Sequence, residues 1–153
     1  MRRHEALNPL SHHHHHTLMM AKDMKRVGAD QSTKTYKQLI REMIDFWEND
    51  GEFHFRDEEE VLVPLYLEHL DEIETELVKE MLYQHAQIRS LIHELREKNL
   101  TSSYEKMRRL GELLYEHVRL EERQLFPIME KVIPEKYLYQ ANGRFHRDSY
   151  SGF

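Results

Sequence analysis

Two segments of the sequence carry the same chemically active residues in the same order. The first, HFRDEEEVLVPL, begins at His54, and the second, HVRLEERQLFPI, begins at His117, 63 residues later. In both, a glutamate follows the histidine by four residues, Glu58 in the first copy and Glu121 in the second. Positions i and i+4 lie on one face of a helix, so each pair can direct an imidazole and a carboxylate at one point. Those two groups form the ligand set that suits iron, zinc and manganese.

Both pairs continue a stripe of apolar residues, which predicts that they face the interior. His117 follows Leu114 by three residues, and Glu121 precedes Leu125 by four. A carboxylate buried without a partner costs several kcal/mol, and a metal cation would supply the missing positive charge. The alternative is that Glu58 and Glu121 lie at the edge of the stripe and reach water, but two matching copies favour the interior.

A third histidine, His85, shares a predicted helix face with Ile88 and Ile92. Alone it would be typical of a histidine in a protein core, but beside two His/Glu pairs we interpret it as a further ligand. His93 and Glu97 have the same spacing of four, yet they lie near the end of that helix, and we expect them to be solvated.

Helices must position these residues, because glycine and proline are scarce and apolar residues recur at helical spacing in four long segments. The first segment is predicted to begin with Ser11 as its cap and to stop at Gly28. The second carries an apolar stripe from Tyr36 and should be interrupted at 49–51, where the sequence is Asn-Asp-Gly. A turn at 99–103 separates the third segment from the fourth.

Four long helices joined by short loops predict an all-α protein, an up-down-up-down four-helix bundle. We expect this bundle to form one domain at 1–133. A C-terminal tail at 134–153 should follow, with a possible short helix and then a mobile polar stretch. The Glu-x-x-His spacing of ferritin-like di-iron bundles is absent, since none of the twelve histidines has a glutamate three residues before it.

Composition narrows the class of protein. Charged residues make up 33% of the chain and hydrophobic residues 39%, and no apolar run is long enough for a membrane span. The absence of cysteine excludes disulfides and thiolate metal sites. The net charge of −6 argues against nucleic acid as a partner. The start of the chain lacks the apolar region of a signal peptide, so we expect a cytoplasmic protein. We expect no membrane or nucleic-acid partner, and the sequence identifies no particular protein partner.

Four motifs resemble, in their order, the helix motifs of the hemerythrin-like HHE cation-binding domains: HEALNPLSHHHHHTL, HFRDEEEVLVPL, YQHAQIRSLI and YEHVRLEERQLFPI. The resemblance covers about 4–132 and implies a four-helix bundle with a non-haem di-iron centre. In such a centre, two carboxylates and an oxo or hydroxo group bridge two iron ions, although zinc or manganese would accept the same donors. The ligands implied here are His54, Glu58, His85, His117 and Glu121.

The resemblance also requires a first-helix ligand from the histidine run at 12–16. Five consecutive histidines could instead be a purification tag, but the run is five rather than six long and follows a native-looking leader. We choose His14, which precedes Leu18 by four residues and Ala21 by seven and so stays on the buried stripe. His15 precedes Leu18 by three and is the alternative or an additional ligand.

The pattern departs from that of the oxygen-carrying hemerythrins, which have a second histidine on the third helix one turn after the first. Here Arg89 occupies that place after His85. Four histidines and two carboxylates leave more open coordination positions than a set with five histidines would. Such positions would admit a small diatomic or peroxide ligand. The resemblance therefore implies a protein that binds or senses dioxygen, nitric oxide or iron. The alternatives are a di-iron oxidoreductase acting on peroxide or nitric oxide, and a metal that only holds the helices together.

Overall fold

The computed structural model describes residues 2–29, 32–70, 75–97 and 103–146. These residues are almost entirely helical and contain no strand, which confirms the predicted all-α class. Across these ranges, no helix has the length and apolar character needed to cross a bilayer. Most of the turn predicted at 99–103 and the last residues of the predicted tail lie outside the described residues.

The first helix, α1 (Asn8–Lys25), begins earlier than the sequence predicted. Ser11 is not its cap: it lies inside the helix, and its hydroxyl donates a hydrogen bond to Glu122. Pro9 sets the start instead, because proline fits the first helical turn, where the amide hydrogen has no partner to lose. Gly28 follows the end of α1 with φ at 80°, a left-handed conformation that does not continue a helix.

Residues 36–69 form a continuous helical rod, here called the second rod. Thr35 starts it with a capping box, in which its hydroxyl accepts from the Gln38 amide and the Gln38 side chain accepts from the Thr35 amide. Three α-helices alternate with two π turns along this rod: α2 (Tyr36–Phe46), a π turn (Trp47–Gly51), α3 (Glu52–Asp57), a π turn (Glu58–Leu62) and α4 (Val63–His69). The interruption predicted at 49–51 is the first of these π turns.

The third long element is the single helix α5 (Glu76–Glu97). Residues 104–132 form the fourth rod, which begins where the Ser103 hydroxyl accepts a hydrogen bond from the Lys106 amide. This rod consists of α6 (Tyr104–Leu120), a π turn (Glu121–Leu125) and α7 (Phe126–Val132). The last helix, α8 (Glu135–Asn142), follows it.

The π turns that begin at Glu58 and Glu121 occupy equivalent places in the two copies of the repeat. In each copy a proline lies six residues after the glutamate, at Pro64 or Pro127, and removes an amide hydrogen from the α-helical ladder. The residue before each proline donates its amide hydrogen to the glutamate carbonyl five residues back, as Val63 does to Glu58. Such π turns occur frequently at functional sites.

Two apolar clusters flank a buried polar layer. The first apolar cluster includes Leu7, Leu10, Leu62, Tyr66, Met81, Phe126 and Met129. The second apolar cluster includes Met24, Leu39, Met43, Ile88, Ile92, Leu110 and Leu114. Along α1 and α5 the chain passes from the first cluster to the second, and along the second and fourth rods it passes from the second to the first. Helix α6 packs against α1 and α5, and helix α2 also packs against α1 and α5.

The described part of the predicted C-terminal tail packs on the first apolar cluster. Leu138 and Phe145 are buried in that cluster. Asn142 donates a hydrogen bond to the backbone carbonyl of Ala6, in the 3₁₀ turn Glu5–Leu7 that precedes α1. Helix α8 therefore covers the end of the molecule at which the chain starts.

Candidate metal centre

The structure brings all six side chains chosen from the sequence into the polar layer between the two apolar clusters. One histidine comes from each of the four long elements, and the two glutamates begin the two equivalent π turns. Every one of these residues is at most 4% exposed. The six are His14, His54, Glu58, His85, His117 and Glu121.

The six side chains form two overlapping groups, each of which could hold one metal ion. In each group the four ligand atoms lie within 4.8 Å of one another. Subsite one consists of His14, His54, Glu58 and Glu121. Subsite two consists of His85, His117 and the same two glutamates.

Each shared glutamate directs one carboxylate oxygen at each subsite. Glu58 places Oε2 3.2 Å from Nε2 of His54 and Oε1 3.2 Å from Nε2 of His85. Glu121 places Oε1 3.0 Å from Nε2 of His14 and Oε2 3.3 Å from Nε2 of His117. A carboxylate oriented in this way can bridge two cations.

Two of the histidines have a carboxylate partner on the nitrogen that faces away from the centre. Nδ1 of His14 lies 3.0 Å from Glu122, and Nδ1 of His85 lies 2.6 Å from Glu59. Arg89 also donates to both oxygens of Glu59, at 2.7 and 3.1 Å. Burial alone would raise the pKa of both carboxylates, but these contacts outweigh it and lower the pKa.

The other two histidines have an amide or an imidazole as the partner in the same position. Nδ1 of His117 lies 2.9 Å from the amide oxygen of Gln84, and Nδ1 of His54 lies 2.8 Å from Nδ1 of His13. Partners of this kind fix the tautomer and ring orientation of a metal-binding histidine. With Nδ1 engaged outside, all four imidazoles present Nε2 to the centre.

The two buried glutamates have opposite pKa shifts. Burial raises the pKa of Glu58 well above its usual value, and the charge of Glu121 raises it further. Burial would also raise the pKa of Glu121, but the contacts with His117 and His14 hold it well below its usual value. In the protein without metal, Glu58 therefore holds its proton to a higher pH than Glu121 does.

His14 differs from His54 and His85 in the direction of its pKa shift. Burial would lower the pKa of His14, but its contacts with Glu121 and Glu122 outweigh that effect and raise the pKa to about 9. Burial lowers the pKa of His54 well below its usual value and lowers that of His85 to about 4. Subsite one thus contains a proton on His14 that a metal ion would have to displace.

The donor set fits a cation, because several buried ligand atoms lack a directed hydrogen bond. These atoms are Nε2 of His14, Oε1 of Glu58 and both carboxylate oxygens of Glu121. Buried polar atoms are normally hydrogen-bonded, and leaving one unsatisfied destabilises the fold. Four imidazole nitrogens and two carboxylates pointing at the same small volume would satisfy these atoms by binding metal ions.

The histidine run divides according to the helical turn. His15 is exposed and belongs to neither subsite, because the next residue of an α-helix lies about 100° around the axis from His14. His12 is exposed as well, whereas His13 is buried. His93 and Glu97, the pair predicted to be solvated at the end of α5, are both exposed.

Sequence reasoning missed the outer partners of the ligands. Glu59 and Glu122 had a detectable signal, because each directly follows the inner glutamate in its copy of the repeat. His13 had a weaker one, since it follows the buried Leu10 by three residues. Gln84 had none, because a polar residue beside His85 gives no indication of its partner on another helix.

A small cavity borders both subsites. Its lining includes His54 and His117 together with the apolar side chains of Phe46, Phe55 and Val118. Its volume of about 10 Å³ leaves room for roughly one water-sized molecule. A ligand bound at the metal from this side would therefore have to be very small.

Comparison with known families agrees with this geometry. The family profile described as the hemerythrin HHE cation-binding domain matches residues 5–129. Comparisons with curated proteins and with solved structures gave no significant match. Because the profile covers most of the chain, the chain belongs to the hemerythrin HHE cation-binding domain family.

Proposed function

We propose that this hemerythrin HHE domain holds two iron ions, one in each subsite, and binds or senses a small ligand such as dioxygen or nitric oxide there. The observation that carries the proposal is the orientation of Glu58 and Glu121. Each presents one carboxylate oxygen to each pair of histidines. A single cation would need only one pair, whereas two carboxylates that span both pairs are arranged for two cations.

The six residues would have two roles. His14 and His54 would be terminal ligands of one ion, and His85 and His117 of the other, while the two glutamates bridge them. Imidazole and carboxylate accept iron, zinc or manganese, and iron is the choice that supplies redox chemistry to a bound diatomic ligand. Around the metal ions, the protein would supply four oriented imidazoles, two shared carboxylates and the apolar side chains that line the small cavity.

Two features support a small exogenous ligand. Helix α5 offers one inward imidazole, since Arg89, one turn after His85, is held by Glu59. The set of four imidazoles and two carboxylates therefore leaves coordination positions for another ligand. The adjoining cavity has room for about one water-sized molecule, so only a very small ligand would fit there.

The four long elements would form the up-down-up-down bundle that the sequence predicts. This topology is supported by the order in which the chain meets the two apolar clusters, which reverses from each long element to the next. One bundle domain and a cytoplasmic location stay predictions from the sequence.

The test is ligand binding by the iron-loaded protein. We expect anaerobic loading with Fe²⁺, followed by titration with nitric oxide, to produce new absorption bands that saturate at a fixed ratio of ligand to chain. The Glu121→Gln variant should lose these bands, whereas Glu116→Gln, an exposed glutamate on the same rod, should keep them. Full iron loading without any spectral response to nitric oxide or dioxygen would contradict the proposed ligand binding and leave a structural metal.

A further inference from the structure

The histidine run supplies one side chain, His14, to the subsites. Two other members of the run, His13 and His16, lie between subsite one and the surface. His13 is 1% exposed and contacts His54 of subsite one, with 2.8 Å between the two Nδ1 atoms. His16 is partly exposed. The side chains of His12 and His15 are exposed. The run therefore contains imidazoles at three depths on one helix.

A surface pocket of about 300 Å³ lies where α1 faces the end of α2. His16 lines it together with four carboxylates and one lysine. Two of those carboxylates, Asp23 and Glu42, already hold the lysine, Lys34, at 3.0 and 2.6 Å. The other two carboxylates are those of Asp45 and Asp50. Four carboxylates against one lysine give the pocket a net negative charge that attracts cations.

One side chain, Phe46, lines both this surface pocket and the small cavity beside the subsites. The rings of His16 and His13 both stack on it, with centroids 5.9 and 5.3 Å from the phenyl centroid. The two imidazole centroids are 6.3 Å apart. From the pocket inwards, the order is thus carboxylates, His16, His13 and then His54.

A cation needs such a series of ligands to reach the centre. A metal ion that left water and crossed an apolar interior would incur a desolvation cost of several kcal/mol or more. The two apolar clusters lie on either side of the polar layer along the helices. Donor groups spaced a few ångströms apart would let the ion exchange one ligand at a time instead.

We propose that the pocket between α1 and α2 is the site at which divalent cations are captured, and that His16 and His13 deliver them to subsite one. This rests on the proposed function, because it requires a centre that takes up metal. His16 would bind the cation transiently with the pocket carboxylates. His13 lines the small cavity beside the subsites together with His14 and His54, and would pass the ion through that cavity to their inward nitrogens. The proposal gives the inner and outer histidines of the run different tasks.

The test is the rate at which the metal-free protein takes up Co²⁺, followed by stopped-flow absorption, with the final metal content measured separately. We expect His16→Ala to load about tenfold more slowly and still reach the wild-type metal content. His15→Ala is the matched control, since it removes the neighbouring exposed histidine, and it should load at the wild-type rate. Asp45→Asn, a mild change at an exposed residue of the pocket, should also slow loading and weaken its dependence on ionic strength.

The outcomes separate this proposal from the function on which it rests. Equal loading rates for His16→Ala, His15→Ala and the wild type would overturn the capture route and leave the di-metal centre intact. A lower final metal content in His16→Ala would also overturn it, because His16 would then be a ligand of the centre. Failure of the wild type to bind Co²⁺, Fe²⁺ or another divalent ion would overturn the proposed function itself.

Discussion

The two subsites have the same inner ligands and different surroundings. In each, two imidazoles and the two shared carboxylates converge. In subsite one, the outer partners of His14 and His54 are Glu122 and His13, whereas in subsite two those of His85 and His117 are Glu59 and Gln84. Each subsite thus has one carboxylate and one uncharged amide or imidazole-type group as outer partners: Glu122 and the His13 imidazole in subsite one, Glu59 and the Gln84 amide in subsite two.

The two anionic partners are themselves held differently. Glu59 is held by Arg89, which lies on the same helix as the histidine that Glu59 orients. Glu122 receives a hydrogen bond from Ser11 at 2.7 Å and lies 3.7 Å from Arg3, in the segment before α1. The comparison teaches that the repeat duplicates the inner glutamates and their anionic neighbours Glu59 and Glu122, while the groups that hold these neighbours come from different elements.

The largest expected effect comes from removing a shared ligand. Glu58→Gln or Glu121→Gln replaces a bridging carboxylate with an amide that cannot ionise, so both subsites lose a donor at once. We expect the metal content to fall from two ions per chain to less than one in either variant. Metal analysis after dialysis measures this, with Glu60→Gln, an exposed glutamate of the same π turn, as the matched control. Loss of one ion with retention of the other would contradict a shared role.

The next largest effect should come from acidification, which should remove metal from the protein. The pKa of His14 is about 9 in the metal-free protein, so below that pH a metal ion must displace its proton. The affinity of subsite one should therefore rise about tenfold per pH unit for each proton displaced, between pH 6 and 8. Competition with a chelator at several pH values measures the slope, and a pH-independent affinity would count against His14 as a ligand.

The proton on His14 has the opposite effect on the metal-free fold. Because the folded pKa lies above the ordinary value of 6.5, this group stabilises the metal-free protein fully below pH 6.5. That contribution is lost as the pH rises through about 9. Metal-loaded protein should lack this loss, which thermal unfolding at pH 6.5 and 9 can compare.

Outer partners should have intermediate effects that differ between the subsites. Glu122→Ala removes the partner of His14, and Glu59→Ala removes that of His85. We expect each to weaken one metal-binding step by about 10–100-fold and to leave the other step nearly unchanged. Stepwise Co²⁺ titration followed by absorption distinguishes the two steps. An equal loss at both steps in both variants would show that the subsites are not supported independently.

The smallest expected effect is that of Glu58→Gln on the fold in the absence of metal. Burial raises the pKa of Glu58, so the neutral amide of Glu58→Gln resembles the form that burial favours, and this variant should change the free energy of unfolding less than Glu121→Gln does. Glu121 is ionised between His14 and His117, and Glu121→Gln breaks those buried pairs, which costs about 3–5 kcal/mol. Denaturant unfolding of both metal-free variants measures the difference, and equal stability would contradict the opposite pKa shifts of the two glutamates.

Much of the centre could be predicted because its ligands obey two simple regularities. The spacing of four in His54 and Glu58 recurs at His117 and Glu121, and both pairs continue an apolar stripe. Helical periodicity also selected His14 over His15, because one residue along a helix turns the side chain by about 100°. The all-α class followed from the same periodicity.

Other features depend on contacts that no local pattern encodes. The sequence predicted Ser11 as a helix cap, but Pro9 starts the helix earlier, and the serine hydroxyl instead donates a hydrogen bond to Glu122 of the fourth rod. The roles of Gln84 and His13 depend on which residues face them from other helices. The packing of Leu138 on the first apolar cluster likewise requires knowing where α8 lies.

The most direct test of the di-metal centre is the metal content of the wild-type chain, measured by elemental analysis on protein purified without a nickel column. The exposed histidines of α1 would otherwise collect nickel. The geometry of the shared glutamates predicts two iron ions per chain. One ion per chain, or none after incubation with Fe²⁺, would contradict the account, since one ion would leave half of the converging ligands without a partner.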